Sequence, residues 1–382
     1  MVDQITAEEL ADKLDAGESF LLVDTRPENS YEAWHVRGAK NVPYDPREGV
    51  SDEQLETVRE LTDGDQFLTI CGKGLTSTPF AFDMEEHGFD DVTVVKGGME
   101  DWSKVHEVVP IETGSDDLVL RQIQRRGKGC LGYVVGSRET GEAAVVDVTR
   151  QREVYEIAAE EAGLTIGTAV DTHVHADHIS GTPALAETLG VPYLLGAGAS
   201  DRDVEYDYRP VEDGDTIKVG NVELTALHAP GHTTDMVNYL VDDQFLLSAD
   251  TLFVDSVGRT ELQFGDEGAA EGAEQLYDTL HDVILELPDD TRVLPGHVSV
   301  TPDGRVEGGT PGEPIEATLG ALRERLDLLQ LDRETFVDRL VENAPEKPPN
   351  YETVIDINTG RTAVESDSEA TELELGPNNC AA

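Results

Sequence analysis

The stretch Thr172-His173-Val174-His175-Ala176-Asp177-His178 puts three imidazoles and a carboxylate within six consecutive residues. Crowded neutral imidazoles need donors and acceptors that an apolar core rarely supplies, whereas a metal ion satisfies them directly. Ligand-type residues recur downstream: His232 in Ala229-Pro230-Gly231-His232-Thr233, Asp250 in Ser248-Ala249-Asp250-Thr251, and His297 in Leu294-Pro295-Gly296-His297. One histidine at a strand end is ordinarily structural, but three successive strands each delivering a metal-type ligand, added to the first cluster, point to a metal centre. A second chemistry is carried by Cys71, followed by Gly72-Lys73-Gly74-Leu75-Thr76-Ser77. A thiol on a glycine-containing loop between a strand and a helix start lies where the helix dipole and converging N–H groups stabilise a thiolate, so Cys71 reads as a nucleophile.

Each of these residues ends an apolar run. Residues 166–171 suit a buried strand and Pro183 to Leu189 a short helix, which puts the histidine cluster on a strand-to-helix loop. Residues 222–227, 244–248 and 291–294 read as the strands behind the later ligands, and 118–120, 131–135 and 143–147 as earlier strands. Cys130 reads as a packed core thiol. Leu276, Leu280, Val283 and Leu287 mark a helix with one apolar stripe. Ahead of them, runs at 20–24, 66–70 and 92–95 alternate with helix-like segments, the first with Thr6 as N-cap and Leu10 and Leu14 at helical spacing; this is a small α/β domain. Residues 111–117 are polar and read as a linker. The expected units are 1–112, 113–345 and an acidic C-terminal tail, 346–382. In the tail Glu365 to Glu374 has a composition that often stays disordered, Leu373 and Leu375 offer docking points on the body or a neighbouring subunit, and Cys380 reads as a free tail thiol.

At 382 residues the chain is long enough for two or three domains. The net charge of −51 is spread over every segment, which fits a halophilic cytoplasm, where molar salt screens self-repulsion and hydrated carboxylates keep the surface soluble. Nucleic-acid binding is disfavoured because there is no basic stripe. No apolar run approaches the roughly 18 residues of a membrane span, and the N-terminus lacks signal-peptide regions, so a cytoplasmic location without membrane association is expected. Three widely separated cysteines argue against a disulfide framework.

The pieces Leu22-Val23-Asp24-Thr25-Arg26, Tyr31 to Pro43, the Cys71 loop and Val95-Lys96-Gly97-Gly98-Met99-Glu100-Asp101-Trp102 occur in the order of the rhodanese family of sulfurtransferases, which this region resembles. The resemblance implies a Cys71 persulfide cradled by loop N–H groups, with Lys73, Gly74 and Ser77 binding substrate. Thr76 stands where family loops often carry arginine. The later ligand set resembles the metallo-β-lactamase superfamily, an αββα sandwich. Within it, Asp171 to Gly181, the His232 and Asp250 segments and Gly258-Arg259-Thr260-Glu261-Leu262-Gln263 look like the persulfide dioxygenase branch. That likeness implies one Fe²⁺ held by His173, His232 and Asp250, support from His175, Asp177, His178 and His297, and Arg259 on the substrate side. The reaction it implies oxidises a low-molecular-weight thiol persulfide, of glutathione or γ-glutamylcysteine type, with O₂ to sulfite, coupled to sulfur transfer through Cys71. The alternative is a dinuclear zinc thioester hydrolase of the glyoxalase II type, in which two Zn²⁺ use all seven ligands. A homo-oligomer is compatible with either.

Overall fold

A computed structural model describes residues 2–62, 66–378 and 380–382. The N-terminal helix Ala7–Asp15 begins with a reciprocal capping box in which the Thr6 side chain accepts from the Glu9 N–H and Glu9 returns the bond to the Thr6 N–H, worth about 1 kcal/mol. Five strands form a wholly parallel sheet in the order Asp3–Ile5, Val92–Val95, Gln66–Ile70, Phe20–Asp24, Lys40–Asn41. Its three central strands are apolar runs because helices cover both faces, whereas the edge strands Asp3–Ile5 and Lys40–Asn41 are polar.

Two further sheets lie face to face. One has seven strands, from Arg209–Val211 through Tyr193–Gly196, Thr165–Val170, Glu142–Val146, Cys130–Ser137 and Leu118–Arg125 to His106–Ile111. The other has six, from Thr216–Val219 through Val222–His228, Val237–Val241, Phe245–Ala249 and Arg292–Pro295 to Ala317–Thr318. Tyr133, Val135 and Val146 of the first pack against Tyr239, Val241 and Leu247 of the second in one buried core. Helices Arg152–Glu161 and Thr182–Leu189 seal the outside of the seven-stranded sheet, and Glu261–Asp282 with Arg333–Glu342 the outside of the other. This is the expected αββα sandwich behind an α/β domain.

Two expectations meet a different arrangement. His106–Ile111, assigned to the first unit, pairs antiparallel with Leu118–Arg125 throughout its length. Residues 112–117 are therefore a hairpin connection inside the seven-stranded sheet, and their polarity is that of an exposed turn; Thr113 and Ser115 side chains hold the local N–H groups. The tail also has structure. Helices Tyr351–Asn358 and Asp367–Leu373 form, the second capped by Ser366 accepting from the Glu369 N–H. Val354, Ile357 and Ala370 bury against Ile179, immediately after the histidine cluster. No helix among the described residues is long and apolar enough to cross a membrane.

Candidate metal centre and thiol site

The histidine cluster lies on the loop between strand Thr165–Val170 and helix Thr182–Leu189. The tail pins this loop through its backbone: the Asn358 side-chain amide donates to the carbonyls of His175 and His178, at 2.9 and 2.7 Å, and accepts from the Ser180 N–H at 2.8 Å. Glu374 accepts from the Ile179 N–H at 2.7 Å. Asp250 follows strand Phe245–Ala249 and is turned inward by Ala249, whose φ of 45° is left-handed, a strain of roughly 1–3 kcal/mol for a residue with a Cβ. Gly258 packs so closely that a Cβ would lie 1.9 Å from the Asp250 carbonyl oxygen, so only glycine lets the following segment reach His232.

Three donor atoms converge. His173 Nδ1 lies 2.9 Å from the Thr172 hydroxyl, which donates onward to Asp147, so the ring N–H belongs on Nδ1 and the Nε2 lone pair is exposed to the centre. His232 donates its Nδ1–H to the Arg259 carbonyl at 2.6 Å, leaving Nε2 likewise available. Asp250 Oδ1 accepts from His297 at 2.6 Å while Oδ2 stands 3.9 Å from His173 Nε2 and 3.5 Å from His232 Nε2. His173 Nε2 and Asp250 Oδ2 are buried and without a hydrogen-bond partner among the described residues. Such orphaned atoms are costly unless they bind something. Donors each about 2.0–2.2 Å from one ion lie ~3–4 Å apart, so His173, His232 and Asp250 fit a metal ion.

The other ligand-type residues fall into neighbouring groups. His297 spans Asp250 and, through Nε2 at 3.0 Å, Asp177; burial opposes its charge, but these carboxylates hold its pKa well above the ordinary value. Cys130, Asp177, His178 and His297 form a second group of closely spaced ligand atoms. His175 turns Nε2 to Asp147 at 3.2 Å, with Asp171 3.8 Å away, and so belongs to a third. Burial drives His173 well below the usual imidazole range, reinforced by His175 and His232.

Several participants escaped the sequence reading. Asp147 and Asp171 each end an apolar run, the same signal that marks the other ligands. Cys130, taken as a packed core thiol, lies 3.5 Å from Asp177; burial raises its pKa, and contacts with His178 and His297 outweigh this and bring it to about 7. Cys380, read as a free tail thiol, is buried beside Asp250 and His297, because Arg259 donates its N–H to the Cys380 carbonyl and Ala382 donates to Val257; local sequence carries no sign of it. Arg259 is corrected in the opposite sense. Its guanidinium is buried and turned onto Glu261, two residues on, and donates to the carbonyls of Pro345 and Glu346 at 2.7 and 3.2 Å, so it does not face a substrate carboxylate.

Cys71 follows strand Gln66–Ile70 and precedes helix Ser77–Glu86. Gly98, with φ 63°, holds the loop from below: a Cβ there would lie 2.1 Å from the Cys71 carbonyl oxygen, which accepts from the Met99 N–H. Gly74, with φ 75°, makes the loop's left-handed turn. The Ser77 hydroxyl donates to Cys71 Sγ at 3.3 Å. Burial pushes the thiol pKa up, but the Ser77 and Thr76 hydroxyls and N–H groups outweigh it and the net direction is down. Lys73 pairs with Glu100 at 2.8 Å and with Glu372 of the tail. Replacing Ser77 by alanine is expected to raise the Cys71 pKa, read as an upward displacement of the pH profile of its alkylation; an unmoved profile would contradict the assigned hydroxyl contact.

Residues 6–105 match the rhodanese-like domain family and residues 125–297 the metallo-beta-lactamase superfamily. The mitochondrial persulfide dioxygenase ETHE1 of Bos taurus is 33% identical over 190 residues, 48% of this chain and 70% of that protein. A hydroxyacylglutathione hydrolase of Polaromonas sp. is 30% identical over 245 residues, 58% of this chain and 90% of that protein. Among solved structures, ETHE1 from Myxococcus xanthus is similar with a TM-score of 0.53 and 28% identity, covering 63% of this chain and 98% of that one.

Proposed function

Because the chain belongs to the metallo-β-lactamase superfamily and carries a rhodanese-like domain ahead of its metal site, we propose that it is a non-haem iron persulfide dioxygenase with a tethered sulfurtransferase. The observation that carries this reading is the convergence of His173 Nε2, His232 Nε2 and Asp250 Oδ2, while His175 Nε2 is engaged by Asp147. His173, His232 and Asp250 would hold the ion, a donor set of two imidazoles and one carboxylate that suits non-haem iron. Ferrous iron held there would supply the electron-transfer chemistry that O₂ requires. A thiol persulfide, O₂ and water become a thiol and sulfurous acid, ionised to sulfite: the outer sulfur loses four electrons and O₂ takes them.

The chain's own residues orient and insulate. Thr172 and Asp147 hold His173, and the Arg259 carbonyl holds His232, so each ring keeps Nε2 forward. His297 bridges Asp250 and Asp177, hydrogen-bonded to both carboxylates in a buried site. In the other domain, Cys71 receives or gives the outer sulfur of a persulfide carrier.

The group Cys130, Asp177, His178 and His297 favours a second reading, a dinuclear zinc thioester hydrolase. Metal content measured together with O₂ uptake separates the two. One iron per chain with persulfide-dependent O₂ uptake is expected; two zincs, thioester hydrolysis and no O₂ uptake would overturn the dioxygenase.

A further inference from the structure

The Cys71 thiol opens onto a cavity of about 1100 Å³ lined by Thr25, Arg26, Tyr44, Pro46, Leu75 and Thr76 among others. This is far more room than a sulfur oxyanion fills. Leu75, at the tip of the Cys71 loop, is 73% exposed and gives the mouth an apolar edge.

The charges point the same way. Among the described residues lining this cavity the cations are Arg26 and Lys73. Arg26 is committed to Asp24, with Nε 3.0 Å from both carboxylate oxygens and Nη2 2.7 Å from Oδ2, and to the Trp34 carbonyl. Lys73 is held by two carboxylates, Glu100 and Glu372. Arg47, on the neighbouring turn, is paired with Asp45. The rim then adds Asp45, Glu48 and Glu53. A dianionic donor entering here meets carboxylates and would have to break an ion pair to gain a cation.

Resting on the sulfurtransferase reading of Cys71, we infer that its sulfur carrier is an organic thiol persulfide, neutral or cationic near the sulfur, and not thiosulfate or another inorganic sulfur oxyanion. The Cys71 thiolate attacks the outer sulfur of RSSH; the S–S bond of the donor breaks, its electron pair leaves on the inner sulfur as RS⁻, and Cys71 holds the persulfide with the proton. No external oxidant or reductant enters. The class of molecule exchanged at Cys71 is then the class consumed at the metal centre, and Glu372, from the C-terminal segment, helps to set that preference.

The test is single-turnover loading of the full-length protein, read by mass as one added sulfur on the peptide containing Cys71, with Cys71→Ser as blank. The donors are cysteamine persulfide, 2-mercaptoethanol persulfide and thiosulfate. Both organic persulfides are expected to load Cys71 faster than thiosulfate. Intrinsic donor reactivity is removed by Glu372→Gln and by Glu100→Gln/Glu372→Gln, which release Lys73: thiosulfate loading is expected to rise by about 5-fold, with no rise for cysteamine persulfide. Thiosulfate loading wild type as fast as the organic donors, or no gain in the double variant, would overturn the carrier class. No loading of Cys71 by any donor would instead overturn the sulfurtransferase reading beneath it.

Discussion

His232→Ala is expected to remove both metal and oxygen chemistry, leaving well under one iron per chain and lowering persulfide-dependent O₂ uptake by more than about 100-fold, beyond the loss usual for a residue that only supports a ligand. The reason is geometric. His232 Nε2 is one of three converging donors, its tautomer is set by the Arg259 carbonyl, and it arrives from a different strand than His173, so no neighbour can slide into its place. His175→Ala is the informative partner. With Nε2 turned to Asp147, its loss should retain iron and cost roughly 10- to 100-fold in activity. Metal analysis and O₂ uptake on both variants check this. Equal metal loss from the two would show that His175 is a ligand and favour the dinuclear site. In His232→Ala, sulfur loading of Cys71 should persist, since that thiol sits on a separate sheet.

The largest effect on stability is expected at Glu374. Its carboxylate is fully buried, 3.1 Å from Arg125 and 3.0 Å from Arg150, and accepts the Ile179 N–H. Glu374→Gln leaves the buried Arg125 guanidinium without its counter-charge, a loss of about 3–5 kcal/mol, measurable as a lower denaturation midpoint. Burial pushes the Glu374 pKa up, but Arg125, Arg150 and Lys128 overcome this and hold it at about 2. A folded pKa below the unfolded one gives stability that is fully present above the unfolded value, near 4.3, and is lost as pH falls through the folded one. The wild type should therefore lose about 3 kcal/mol between about pH 5 and pH 2, and Glu374→Gln should lose that much less over the same window. Identical acid profiles would refute the pairing. Because Glu374 also grips Ile179, metal retention should fall with it.

Much of the architecture was legible because its signals are local. Apolar runs ending in acids, histidines or cysteine mark strands that stop at a shared edge, and that rule located Cys71, His173, His232, Asp250 and His297. Applied more widely, it would also have found Asp147 and Asp171. What defeated it were contacts between distant segments. Polarity could not distinguish a linker from the hairpin turn after Ile111, and the acidity of Glu365 to Glu374 hid a carboxylate matched to two buried arginines.

From the sequence alone came the candidate ligands, the candidate thiol and most of the strands that carry them, since strand periodicity and loop chemistry depend on near neighbours, while the αββα sandwich was implied by the family resemblance. Only the tertiary structure decided how the ligands divide. His173, His232 and Asp250 face one point while His175 turns to Asp147, because hydrogen bonds from separate strands fix each ring. It likewise decided that Arg259 is spent on Glu261 and that the tail reaches both sites, through Glu372 at Lys73 and Cys380 beside Asp250. These are long-range pairings of charge and shape, and they exist only once the chain has closed on itself.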